Sequence, residues 1–210
     1  MSKISELILK SFLIFITFSY IATADAEVSF GNSKGKVVLV EYFDYNCPVC
    51  RAYMPTIHQL AHKNSELKVV QRVIPVFGQS SQIVDRAVLA SFFQGKFAQM
   101  QRAILSVRDS EKIPSKEVFL IGKSLNLNLR KLYQDMNSDR VKNQLVSNIK
   151  SFMKTRQNRV PVIVLYNANS QKQKLTFVGA QSITTLQQAI NTLQKHNLSS
   201  NHKEFSRDKK

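Results

Sequence analysis

The only two cysteines of this 210-residue chain, Cys47 and Cys50, stand three residues apart where one pattern of hydrophobicity gives way to another. Before them, residues 37–43 read Val-Val-Leu-Val-Glu-Tyr-Phe, a β-branched and aromatic run that predicts a buried strand. After them, Tyr53, Met54, Ile57, Leu60 and Ala61 recur at spacings of three and four, which predicts one packed face of a helix from about Cys47 to Lys63. Pro48 suits the first turn of such a helix, where the backbone amides have no partner to lose. Leu67 to Ile74 returns to strand character, and Pro75 closes it. The order strand, cysteine turn, helix, strand is a β-α-β unit with both thiols at a strand's carboxyl end, where open α/β sheets place their sites.

A bridge between residues this close stabilises a fold by only about 2 kcal/mol on the loop-entropy estimate, so stability explains the pair poorly. It reads instead as a redox centre, a Cys47–Cys50 disulfide that opens and closes with no other cofactor. At the helix N-terminus the Cys47 thiolate faces unpaired amides and the positive end of the helix dipole, so its pKa is expected to fall. A stabilised thiolate attacks well and, once part of a disulfide, leaves well. Cys50, one turn on, is expected to be the more buried partner that resolves a mixed disulfide.

Zinc is the rival reading, since Cys47, Cys50, His58 and His62 spell C-x2-C-x7-H-x3-H. A helix starting at Cys47 would carry His58 about 16 Å and His62 about 22 Å along its axis, too far to close one tetrahedron. No metal site is therefore expected.

Residues 80–155 contain no evident strand and several amphipathic segments: Ile83–Phe93, Phe97–Val107, Ser115–Leu125, Leu129–Met136 and Ser138–Lys154. Strand character returns at Val160–Tyr166 and Lys174–Val178, a hairpin broken at Gly179 and followed by a helix from about Thr184 to Lys195. The fold class is thus α/β, one sheet built from a β-α-β half and a β-β-α half with a helical insertion between them. The organisation is residues 27–79 and 156–198 as a discontinuous core, 80–155 as the insertion, and 199–210 as a basic polar tail that is expected to fray.

Residues 1–26 stand apart. Lys3 and Lys10 precede an apolar run from Ser11 to Ala22, and Ala24-Asp25-Ala26 fits a small-residue cleavage site. The run is short for a membrane span and suits a signal peptide cleaved near Ala26, with an uncleaved anchor as the alternative. Both place the domain in the periplasm or another extracytoplasmic compartment. Lys3, Lys10, Glu6 and Asp25 cancel, so the whole formal charge of +16 stays with the remaining chain. Such a field favours anionic partners: lipid surfaces, envelope polymers or acidic client proteins. Export and the lack of a nucleic-acid signature argue against nucleic acid.

The stretch Val40-Glu41-Tyr42-Phe43-Asp44-Tyr45-Asn46-Cys47-Pro48-Val49-Cys50 resembles the active-site segment of DsbA-type thioredoxin-like proteins. The likeness extends to Ile74-Pro75-Val76-Phe77-Gly78, the Ser80-to-Phe93 helix, the Val160-Pro161 step and Phe177-Val178-Gly179-Ala180. It implies a thioredoxin-like fold and a cis peptide at Val160-Pro161, which in such proteins lies beside the cysteines and offers backbone to an extended client. A first-residue or edge-strand proline is the plainer reading of Pro161. The resemblance also implies that Glu41 lies beneath the cysteines as a proton acceptor or electrostatic tuner. Arg72 is one partner for Glu41, and Gln71 is the other under a one-residue shift. Val49 departs from the pattern, standing where the strongest oxidants of the family carry histidine; with Pro48 and Glu41 it completes the residues expected to tune the thiol.

The function expected is a protein thiol–disulfide oxidoreductase, a dithiol oxidase that passes the Cys47–Cys50 disulfide to newly exported proteins through a mixed disulfide at Cys47. A membrane partner would then reoxidise the pair. A reductase or isomerase of the same fold is the alternative, and a basic envelope-binding protein with a vestigial pair is the alternative of another class.

Overall fold

The computed structural model describes residues 28–107 and 112–205, with the side chains at 172 and 196–205 left out. The expected signal peptide lies outside the described residues. So does the end of the tail, from residue 206.

Five strands form one sheet in the order β1-β3-β2-β4-β5: β1 Ser29–Gly31, β2 Val37–Phe43, β3 Leu67–Val73, β4 Val162–Asn167 and β5 Ser170–Val178. Strands β2 and β3 are parallel, joined by helix α1 (Pro48–Lys63); β2–β4, β4–β5 and β1–β3 are antiparallel. Every residue of β2 is buried because both faces of the central strand are covered, as its near-continuous hydrophobicity demands. Val37 and Leu39 face α1 and the last helix, α7 (Ile183–Phe205), together with Ile57, Leu60, Leu186 and Ile190. Val38, Val40 and Tyr42 point to the other face, where Phe152 covers them. The period of two puts Glu41 on the α1 face, beneath the helix that carries the cysteines.

Between β3 and β4 lie α2 (Gln79–Ser91), a 3₁₀ turn (Phe92–Gln94), α3 (Phe97–Leu105), α4 (Ser115–Ser124), α5 (Leu129–Met136) and α6 (Asp139–Met153). Their apolar faces do not form an isolated core. Val84, Val88, Met100, Ile104, Val118, Leu132 and Leu145 join one buried cluster with Phe43, Tyr45, Met54, Cys47 and Cys50. The thiols therefore sit at the seam between sheet and helical block.

Strand β1 had no signal in the sequence: it is three residues long and held at the edge by Gly31. There φ is +81°, and a Cβ would stand 2.6 Å from the Leu67 carbonyl oxygen. Helix α2 begins four residues earlier than the apolar period suggests, because Gly78, at φ +74°, turns the chain and the polar run Gln79–Gln82 makes the first turn. The tail expectation needs correction. Residues 199–205 continue α7 rather than fraying, since neither proline nor glycine occurs between Ile183 and Phe205 to end it.

Candidate redox site

Cys47 is the N-cap of α1, with φ −80° and ψ 112°, and Pro48 takes the first helical position. Its Sγ accepts the Cys50 backbone N–H at 3.4 Å, doing the work a cap oxygen does elsewhere. The two thiols are unbridged, with Cys50 fully buried and Cys47 5% exposed. The Cys50 thiol donates toward Cys47, and the N–H groups of Cys50 and Val49 add to it; against the cost of burial and the Asp44 charge, they bring the Cys47 pKa down to about 6. Cys50 moves the opposite way, pushed far up by holding its proton toward Cys47 and by burial. One thiol of the pair is thus an ionised nucleophile near neutral pH and the other a held proton. Val49 is 51% exposed and contributes backbone only.

Glu41 is fully buried on the neighbouring strand. Burial pushes its pKa up to about 7, and the Gln71 amide, which donates to Oε2 at 3.0 Å, offsets part of that. The register pairs Glu41 with Gln71 and Tyr42 with Arg72, which turns Arg72 to the opposite face. Gln71, and not Arg72, is therefore the partner of Glu41. A neutral amide cannot hold a carboxylate ionised as a guanidinium would, which is why burial prevails. Gln71 lies at the centre of a buried chain: its Nε2 is 2.8 Å from Met54 Sδ, and its Oε1 accepts from Gln101 Nε2 at 2.7 Å. Gln101 donates also to the Tyr45 hydroxyl at 3.1 Å.

The turn Asp44-Tyr45-Asn46 does more than reverse the chain. Asp44 Oδ1 accepts the Asn46 N–H at 2.7 Å, and its Oδ2 accepts the N–H groups of Val76 and Phe77 at 2.8 and 3.3 Å. Asn46 Oδ1 accepts the Ile113 N–H at 2.8 Å, and its amide reaches Ser81 Oγ at 3.4 Å. One carboxyl and one amide thus bind the cysteine turn to the exit of β3 and to the insertion. Burial raises the Asp44 pKa despite these donors, and it raises Asp85, fully buried in α2, well above the usual carboxylate range, with the nearby Asp44 charge adding to the effect. Turn composition reveals an Asp and an Asn but not partners 32 to 67 residues away. Asp44→Ala leaves three amide donors, one of them buried, without an acceptor and is expected to cost about 2 kcal/mol in urea unfolding. An unchanged midpoint would deny the clamp.

The Val160–Pro161 peptide is cis, as the family resemblance implied. Val160 is half-buried and packs on the cluster that contains both cysteines, and the Pro161 carbonyl accepts the Gly179 N–H at 2.8 Å. Val49, Val76 and Phe77 are exposed apolar side chains on the cysteine turn and on the β3 exit that Asp44 ties to it. The His58 ring stacks on Phe30, with 4.4 Å between the ring centroids. No group of three or more potential metal-binding side chains occurs among the described residues.

Comparison with known proteins gives consistent results. A Rickettsia felis protein named "Putative protein-disulfide oxidoreductase" is 30% identical over 130 residues, which cover 59% of this chain and 47% of that protein. The chain spans about half the length of the curated relatives it matches. Among solved structures, a thioredoxin-like oxidoreductase from Silicibacter pomeroyi is 27% identical with a TM-score of 0.71, covering 80% of this chain and 92% of the other. The catalytic domain of Proteus mirabilis ScsC is 21% identical with a TM-score of 0.68, covering 82% and 91%, a likeness of fold. The family model described as thioredoxin matches residues 23–192, from before β1 into α7, and with the cis-proline and the cysteine-capped helix inside that span the chain belongs to the thioredoxin family.

Proposed function

We propose that the chain is a protein thiol–disulfide oxidoreductase that uses the Cys47–Cys50 disulfide as its only redox group and acts as a dithiol oxidase on exported proteins. The observation that carries the reading is the asymmetry of the pair, with Cys47 brought down to about 6 and Cys50 pushed up. Stabilising the Cys47 thiolate favours the reduced protein, which makes its disulfide a stronger oxidant.

In the forward direction a client thiolate attacks Cys47 Sγ, the Cys47–Cys50 bond breaks, and Cys50 leaves with the electron pair and takes a proton. A second client thiolate then attacks the client sulfur of the mixed disulfide and expels Cys47 as a thiolate. The client gives up two electrons and two protons, one proton going to Cys50 and one to solvent or to Glu41. The pair is left reduced, to be reoxidised by a membrane partner. The Val160–Pro161 backbone and the apolar Val49, Val76 and Phe77 are suited to hold an extended client chain beside Cys47. Residues 1–26 support an extracytoplasmic location through their signal-like sequence.

Equilibration of the Cys47–Cys50 couple with glutathione and its disulfide tests the direction. The pair is expected to be more oxidising than the glutathione buffer; a potential near that of thioredoxin, about −270 mV, would overturn the oxidase reading.

A further inference from the structure

Of the client surface just described, Val160 and Pro161 lie where β4 begins and Val76 and Phe77 where β3 has ended, so it reaches both sides of β2. Along α1, beginning one turn beyond Cys47 at Arg51, a cleft of about 490 Å³ opens between α1 and α3. Met54, Pro55 and Leu105 give it apolar walls, while Arg51 and His58 of α1 and Arg102 of α3 bring basic groups to it; none of the described lining residues is acidic. His58 and Arg102 are close enough that, after burial, the guanidinium charge is the second influence holding the imidazole below its ordinary pKa. Apolar walls with a few convergent polar groups are how small sites achieve orientation and selectivity.

Topology gives this cleft a place in the reaction. Cys47 caps α1, and the cleft borders the same helix from Arg51 to His58. A client held at Cys47 therefore has the cleft within reach along the helix that carries that cysteine. Arg51 is four residues beyond Cys47 and His58 eleven, about 6 and 16 Å along the helix. At about 3.3 Å per residue, an extended client covers that range with the positions two to five residues from its own cysteine.

We infer that the cleft between α1 and α3 is a subsite for a client's acidic side chain, received between Arg102 and His58, and that it selects cysteines with Glu or Asp two to five residues away. The inference rests on the oxidoreductase reading and adds a substrate class to it. The chain's charge of +16 attracts any acidic protein, but that field is screened within about 8 Å at physiological salt and cannot discriminate between positions along a peptide.

The test uses the oxidised full chain and single-cysteine peptides carrying Glu or Gln three residues from the cysteine, with a further peptide carrying Glu ten residues away. Mixed-disulfide formation is followed by acid quench and mass spectrometry. The near-Glu peptide is expected to react about fivefold faster than its Gln counterpart, and the distant Glu to give no such gain. Arg102→Glu should bring the Glu/Gln ratio to one or below. Lys150→Glu, an equal charge change on α6, which does not border the cleft, should leave the ratio as it was. Equal rates for Glu and Gln in the natural chain, equal effects of the two charge reversals, or equal gains from near and distant Glu would each overturn the subsite. Failure of every peptide to react, the neutral one included, would instead overturn the oxidoreductase reading beneath it.

Discussion

Cys47→Ser is expected to lower disulfide exchange with a reduced client to the uncatalysed level, where rearrangement takes minutes to hours. A serine oxygen forms no disulfide, and Cys50 cannot stand in, because it is fully buried, out of a client's reach, and burial itself favours its protonated form. Cys50→Ser should behave differently. The helix N-terminus, the Val49 and residue-50 amides and a serine hydroxyl still face Cys47 Sγ, so the nucleophile survives while the group that resolves the mixed disulfide is gone. Given an oxidised client, whose disulfide the Cys47 thiolate attacks while one client sulfur leaves as a thiolate, conjugates of that variant should accumulate, visible as a mass shift that a reductant reverses. Exchange by Cys47→Ser at the rate of the natural chain would deny Cys47 its role.

Glu41→Gln is expected to change the pH dependence of stability by about 3 kcal/mol. The folded chain keeps the Glu41 proton up to about pH 7, whereas the unfolded chain releases it near its ordinary value of 4.5. Between those values the folded state binds more protons than the unfolded one. The contribution of Glu41 is therefore fully present below pH 4.5 and is lost as pH rises toward 7. A raised pKa of this size corresponds to about 3 kcal/mol at 1.36 kcal/mol per unit. Glutamine has no proton to release, so the stability of the variant relative to the natural chain should rise by that amount between pH 4.5 and 8. Urea unfolding of the oxidised forms, in which neither cysteine titrates, isolates the effect. Parallel curves for the two proteins would mean that Glu41 is ionised in the fold and has found a partner other than Gln71.

The readable parts of this protein were those built from contiguous residues. The apolar run at 37–43 and the spacing from Tyr53 to Ala61 each report a local period, and the cysteines lie at their junction; four of the five helices between β3 and β4 begin within one residue of the expected start. The active-site segment carried the family resemblance and, through it, the cis peptide at Pro161. What stayed hidden depends on register and distance. Gln71 and Arg72 are adjacent in sequence yet face opposite sides of the sheet, so one residue of register decides whether Glu41 meets an amide or a guanidinium. Gln101 reaches Tyr45 and Gln71 across 56 and 30 residues, and in the sequence it is one polar residue in an amphipathic helix. Asp85 shows no mark of its burial for the same reason. In the sequence it is one charged residue within the amphipathic segment that becomes α2.

The recessed position of the thiols has a consequence for timing in the life of a client. With Cys50 covered and only an edge of Cys47 open, the attacking sulfur has to reach a recessed target, which favours a client segment thin enough to enter. A cysteine on the flat face of a finished domain does not fit that description. On the proposed function, the chain would act on polypeptides before their own packing is complete, and a client would escape it simply by folding.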